Sequence, residues 1–160
     1  MKNIIIVDMQ KGFIKETNCH LVEKINNYLR QNNFDNIFFT KCLNNDKSPY
    51  TKILNWNGIK NECEQEIVCD IPKDAKVLTK NCYGISDKDI KCFKDLGITE
   101  MEICGTDIDA CCLAIGFNLF DNSIKPIFLS GLCETTSRDA HMKENALKII
   151  VRQFGKDCVK

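Results

Sequence analysis

Three residues of reactive type occupy similar places in the chain. Asp8, Lys80 and Cys111 follow, respectively, the apolar run Ile4 to Val7, the run Val77-Leu78-Thr79, and the run that ends at Cys104-Gly105. Short apolar runs rich in β-branched residues are the pattern of strands buried in a parallel sheet. Such sheets gather their ligands at the carboxyl ends of the strands. Cys111 lies in Met101-Glu102-Ile103-Cys104-Gly105-Thr106-Asp107-Ile108-Asp109-Ala110-Cys111-Cys112-Leu113-Ala114, where the apolar run meets a polar corner and helical spacing begins near Asp109. The pattern predicts a strand, a turn and a helix, with Cys111 in the first helical turn. Backbone N–H groups there lack intrahelical partners and the helix dipole is positive, which favours a thiolate. Asp109 is placed to cap that helix through the N–H of Cys112, leaving the N–H of Cys111 for a substrate oxygen. Together a carboxylate, an ammonium and a thiol form a hydrolytic set. Cys111 is the nucleophile, Lys80 lowers its pKa, and Asp8 takes and returns the proton. Backbone N–H groups at the helix start hold the oxyanion. Each residue also has a plainer role: a buried thiol for Cys111, a loop cap for Asp8, a solvated lysine for Lys80. The shared position of the three favours the catalytic one.

The elements that must carry them follow from periodicity. Strands are expected at Ile4 to Val7, Asn36 to Thr40, Glu66 to Cys69, Lys76 to Thr79, Glu100 to Cys104 and Ile124 to Leu129, the last at an edge or with Pro126 at its start. Helices are expected at Leu21 to Gln31, Ser86 to Leu96 (Ser86 as cap, Gly97 as stop), Ala110 to Phe120 and Ser137 to Phe154. Lys41 to Lys60 reads as a polar, turn-rich excursion with some helical character from Tyr50 to Trp56. Trp56 is expected to anchor it by packing, with a place on a substrate-pocket wall as the alternative. The alternation of strands and helices predicts a three-layer α/β/α domain over residues 1–160, with a mostly parallel, Rossmann-like central sheet of about five or six strands. The helix Ala110 to Phe120 is apolar almost all round, so it is expected to be buried and to contact a second copy in a homo-oligomer, a dimer or tetramer.

Composition excludes several classes. Basic and acidic residues balance at 22 each and no basic block occurs, so no nucleic-acid partner is expected. No run is long enough to span a membrane, and the first apolar run is too short for a signal peptide, so a cytoplasmic protein with free thiols is expected. The eleven cysteines are odd in number and contain no C-x-x-C, against a zinc ribbon, a thioredoxin-like pair or an iron–sulfur cluster. Dinucleotide and P-loop glycine motifs are absent after the first strand, and no cofactor is expected.

Three segments resemble the isochorismatase-like cysteine hydrolases, and the resemblance covers nearly the whole chain. Val7-Asp8-Met9-Gln10-Lys11-Gly12-Phe13 is similar to the family's V-D-M-Q-x-x-F. Lys80-Asn81-Cys82-Tyr83-Gly84 stands where the family has its lysine. Gly105-Thr106-Asp107-Ile108-Asp109-Ala110-Cys111-Cys112 matches its Gly, five residues, then the nucleophilic Cys, with Cys112 in place of the usual Val. The resemblance implies a triad of Asp8, Lys80 and Cys111. It also implies a cis peptide at Thr106–Asp107 and an oxyanion hole from the N–H groups of Asp107 and Cys111. Nicotinamidases of the family bind a metal through an Asp-x-His and two further His before the lysine. This chain has only His20 and His141, and Asp46-Lys47-Ser48 lacks the His. No metal is therefore expected. Thr40-Lys41-Cys42-Leu43-Asn44 and Ser48-Pro49-Tyr50, with Leu54-Asn55-Trp56, are instead similar to a metal-free subgroup. The function expected is hydrolysis of a C–N bond in a small-molecule amide through a thioester. Alternatives are another bond or a carbamoyl or ureido substrate on the same triad, a binding or assembly module without turnover, and a thiol-based metal or redox sensor.

Overall fold

Asn3–Val7 is buried along its whole length, because a strand at the centre of a parallel sheet is covered on both faces. It is β1 in the computed structural model, which describes residues 1–160. The other strands are β2 (Asn36–Cys42), β3 (Lys76–Lys80), β4 (Glu100–Thr106) and β5 (Lys125–Glu134). All pair in parallel, in the order β3-β2-β1-β4-β5. The helices are α1 (His20–Gln31), α2 (Pro49–Leu54), α3 (Glu62–Gln65), α4 (Asp87–Asp95), α5 (Leu113–Asp121) and α6 (Met142–Phe154). They flank the sheet in the expected α/β arrangement, and no helix is long and apolar enough to cross a membrane.

Local chemistry explains the element ends. Ser86 caps α4 through the N–H of Asp89, and the Asp89 carboxylate returns a bond to the N–H of Ser86, a reciprocal capping box. Gly97, at φ +70, lets the chain leave α4 in the left-handed region. Pro126 is the second residue of the edge strand β5, where a missing N–H is tolerated. Phe38 of β2 packs on Phe93 of α4 at 4.7 Å between ring centroids, in one core that also holds Ile4 to Val7.

Four expectations are corrected. Glu66 to Cys69 is not a strand; only Ile67 pairs, in an isolated antiparallel bridge to Gln10. β3 is not buried: it is the other edge strand, mostly exposed until Lys80. The last helix begins at Met142 rather than Ser137, because local side chains capture the backbone first. The N–H groups of Ser137, Asp139 and His141 donate to Thr135 Oγ1, Ser137 Oγ and Asp139 Oδ1. Asp109 does not cap its helix either: the N–H of Cys112 donates to the backbone carbonyl of Asp107, and Asp109 Oδ1 is buried without a partner.

Candidate active site

The strand order reverses direction beside β1: the chain steps outward through β2 and β3, then returns to the other side of β1 as β4. A crevice forms at the carboxyl end of such a switch point. Asp8 leaves β1 there, Cys111 follows β4, and Lys80 reaches in from the last position of β3. Between β4 and α5 the chain forms a π-helical turn, Ile108–Cys112, that presents Cys111.

The three side chains meet in a buried cluster. Lys80 Nζ lies 2.7 Å from Asp8 Oδ2 and donates to Cys111 Sγ at 3.4 Å and to the Cys82 carbonyl at 2.9 Å. Asp8 is held in a left-handed backbone conformation, φ +47, which Asp tolerates better than most residues. Thr40 fixes it: its hydroxyl accepts from the Asp8 N–H at 3.0 Å and donates to Asp8 Oδ1 at 2.6 Å. Asp8 Oδ2 has its ion pair with Lys80 but no aligned hydrogen bond, so a lone pair remains for a proton.

The expected acidic thiol is corrected. Burial pushes the Cys111 thiol well above its ordinary range, the Asp8 carboxylate adds to the rise, and Lys80 opposes it without prevailing. Burial disfavours the Lys80 ammonium, the Asp8 carboxylate beside it favours it, and the lysine is held above its usual range. The resting cluster is thus an Asp8–Lys80 ion pair beside a neutral thiol. Its lysine charge is already engaged by Asp8, which is why it does not ionise Cys111 on its own.

The Thr106–Asp107 peptide bond is cis. The N–H of Asp107 makes no hydrogen bond within the chain. Its carboxylate accepts from Thr106 Oγ1 and from the N–H and hydroxyl of Thr136, at 2.6, 2.6 and 2.8 Å. A register shift between β4 and β5 after Ile103 accompanies this approach of the β5 end to the corner.

Cys111 opens into a cavity of about 550 Å³. Its walls include Phe13, Tyr50, Trp56 and Tyr83, with Asp107 and Thr136 at the polar end. Phe13 stacks on Trp56 at 5.9 Å and 14°, and Tyr50 stands edge-on to both Trp56 and Tyr83, at 5.6 and 5.0 Å. Trp56 is therefore a pocket wall, 36% exposed, rather than only a packing anchor. Gln10 and Asn44 hold the excursion over the sheet. Gln10 Nε2 donates to the carbonyls of Cys42 and Gln65 and its Oε1 accepts from the Cys42 N–H, while Asn44 Nδ2 donates to the carbonyls of Trp56 and Gly58. Sequence reasoning assigned no role to Thr40, Tyr50, Tyr83 or Thr136. Thr40, Tyr50 and Tyr83 lay in segments noted for their resemblance; Thr136 carried no local signal.

No three His, Cys, Asp or Glu side chains converge as a metal site. Asp46 is ion-paired with Lys60 at 2.7 Å, and His20 and His141 are exposed, each with one glutamate within 4 Å. This donor set does not fit a catalytic zinc or iron ion, which needs three protein ligands around one point.

Residues 2–156 match the model of the isochorismatase domain. No curated protein matches the chain in sequence. Solved structures share the fold at low identity. The pyrazinamidase of Pyrococcus horikoshii in complex with zinc is 19% identical with TM-score 0.82, over 99% of this chain and 97% of that one. The nicotinamidase of Bacillus subtilis is 16% identical with TM-score 0.79, over 99% and 98%. The N-carbamoylsarcosine amidase of Thermoplasma acidophilum is 17% identical with TM-score 0.81, over 100% and 96%.

Proposed function

The chain belongs to the isochorismatase family of hydrolases, and from that premise we propose that it is a metal-independent cysteine hydrolase that cleaves the C–N bond of a small amide through a thioester on Cys111. The observation that carries this is the convergence of Lys80 on both Asp8 Oδ2 and Cys111 Sγ at the floor of the cavity. The neutral thiol meets the amide carbonyl, and its proton passes to Asp8 as the S–C bond forms. Keeping the thiol neutral until substrate arrives protects it from other electrophiles. The oxyanion is held by the unpaired N–H of Asp107, with the N–H of Cys111 as its second donor. Lys80 balances the charge as the proton moves. The amine departs with the proton from Asp8, and water releases the acyl group.

The aromatic walls suit a flat acyl group, since rings prefer offset-stacked or edge-on neighbours at about 4.5–7 Å. The fold neighbours include enzymes named for nicotinamide, pyrazinamide and N-carbamoylsarcosine, so heteroaromatic carboxamides and N-carbamoyl compounds form the first substrate panel. The chain is a single hydrolase domain in a homo-oligomer; the exposed Phe120 beside Phe154 on the outer face of α5 supports self-association.

The test is hydrolysis of that panel by wild type beside Cys111→Ala, with intact-mass detection of the acyl-enzyme. Wild type should turn over at least one amide and gain the acyl mass; Cys111→Ala should do neither. Turnover that survives in Cys111→Ala overturns the cysteine mechanism. Activity lost on chelation and restored by zinc overturns metal independence.

A further inference from the structure

We propose that Tyr50 is a further catalytic residue: its phenol donates a hydrogen bond to Cys111 Sγ whenever the sulfur becomes negative, first on attack and again on release. This deepens the hydrolase proposal and rests on it for its effect on turnover. Tyr50 Oη lies 4.0 Å from Cys111 Sγ, at the outer edge of hydrogen bonding to sulfur, in a resting state where the sulfur is neutral and attracts it weakly. The ring is buried and its position is fixed by the edges and faces of Trp56 and Tyr83. Ser48, capping α2 through the N–H of Thr51, and Pro49 in the first turn hold the helix that carries it. The polar groups facing the sulfur are Asp8 from β1, Lys80 from β3 and Tyr50 from α2, with Cys42 from β2 beside the phenol. Burial holds the phenol above the ordinary tyrosine range, so it stays an O–H donor. The Cys42 thiol, pushed up to about 12 by burial and then by Asp8, stays neutral and competes poorly for that donor once Cys111 ionises.

The steps balance without an added reactant beyond water. The Cys111 proton passes to Asp8, the sulfur pair forms the S–C bond, and the carbonyl π pair moves to oxygen. Collapse breaks the C–N bond, and the amine leaves with the proton from Asp8. Water then adds to the thioester and gives a proton to Asp8. The S–C bond breaks with its electron pair on sulfur, and the proton returns from Asp8. Tyr50 keeps its own proton throughout. A hydrogen bond to a buried charge is worth more than a neutral one, so its loss should slow the chemical step about 10- to 100-fold.

Tyr50→Phe tests this, because Phe keeps the ring between Trp56 and Tyr83. The probe is chloroacetamide, with alkylation at Cys111 mapped by mass spectrometry from about pH 6 to about pH 10. The expected result is an alkylation profile displaced upward by about 1 pH unit and a kcat loss of about 10- to 100-fold with KM changed less than about 2-fold. A second variant with ring-fluorinated tyrosine at position 50, a stronger donor of nearly the same shape, should displace the profile downward. An unchanged profile in Tyr50→Phe overturns the proposal, as does an unchanged or upward-displaced profile in the fluorinated protein, which decides the matter should Tyr50→Phe fold poorly. The alkylation needs no substrate, so it separates failure of this proposal from failure of the amidase assignment.

Discussion

Asp8 and Lys80 are bound to each other before they are bound to any chemistry. Their side chains are 1% and 2% exposed, and a charge buried to that degree is tolerated only with its partner. Asp8→Asn should therefore do two things. Turnover should fall by about 10²–10⁴-fold, because an amide carries no proton between thiol and amine. Stability to urea should also fall, by up to about 3–5 kcal/mol, because Lys80 is left without its counter-charge. Lys80→Met should destabilise by a similar amount for the converse reason. Combined, the two changes remove both charges, and the double variant should be more stable than either single variant while remaining inactive. Urea unfolding of the four proteins measures this; a double variant less stable than both singles would show that the pair is not the coupled unit described. The types and order of these two residues were legible in the sequence, since both stand at strand ends. Their coupling was not, because Lys80 reaches Asp8 across β2, which separates their strands. The depressed thiol expected for Cys111 failed for the same reason: counting one cation near the sulfur omits the anion that neutralises it and the burial of all three.

At the scale of elements, β1, β2, β4, α1 and α4 were readable because each has a strong period and clear ends. The excursion from Leu43 to the start of β3 was legible only in part, as the helical character from Tyr50 that α2 realises. Its short helices α2 and α3 are held by single polar hubs, Asn44 and Gln10, rather than by an amphipathic stripe. Ile59 shows the cost: it sits at φ +59, a strained conformation for a β-branched residue, while its buried side chain packs with Cys42 and Tyr50. The aromatic wall is assembled across distant segments, Phe13 from the turn after β1, Tyr50 and Trp56 from the excursion, and Tyr83 from the loop after β3. Only tertiary contact reveals it. Trp56 faces the cavity and is stacked on Phe13, so Trp56→Ala should remove wall area without touching Asp8, Lys80 or Cys111. Steady-state kinetics on the amide identified by the substrate panel should show KM raised about 10-fold or more, with kcat reduced much less, the mark of lost uniform binding. A kcat loss at unchanged KM would instead make Trp56 part of the chemical step.

At the scale of the whole molecule, burial holds a set of thiols in the neutral form. All eleven are free, and Cys42, Cys69, Cys104, Cys111 and Cys112 are all pushed upward, chiefly by burial; Cys42 and Cys69 rise to about 12. In the unfolded chain each would titrate near its ordinary value of 9.0. The sign follows from proton counts. Between the unfolded and folded values the folded chain keeps protons that the unfolded chain has released, so rising pH favours unfolding. Stability is fully present below the ordinary thiol pKa and is lost progressively from about pH 9 toward pH 12, with each thiol contributing about 1.36 kcal/mol per pH unit in its window. Lys80, held above its usual range, adds a loss of the same sign at the alkaline end. Under reducing conditions, urea midpoints measured at pH 7.5, 9 and 10 should be steady at first and then fall steeply, on the order of several thiols' slope acting together. Cys104→Ala should shallow that fall by about one thiol's slope, since its buried thiol is removed from the titration. Stability that holds unchanged to pH 10 would mean that the buried thiols ionise as readily folded as unfolded. That would also remove the argument that Cys111 rests as a neutral thiol until substrate enters.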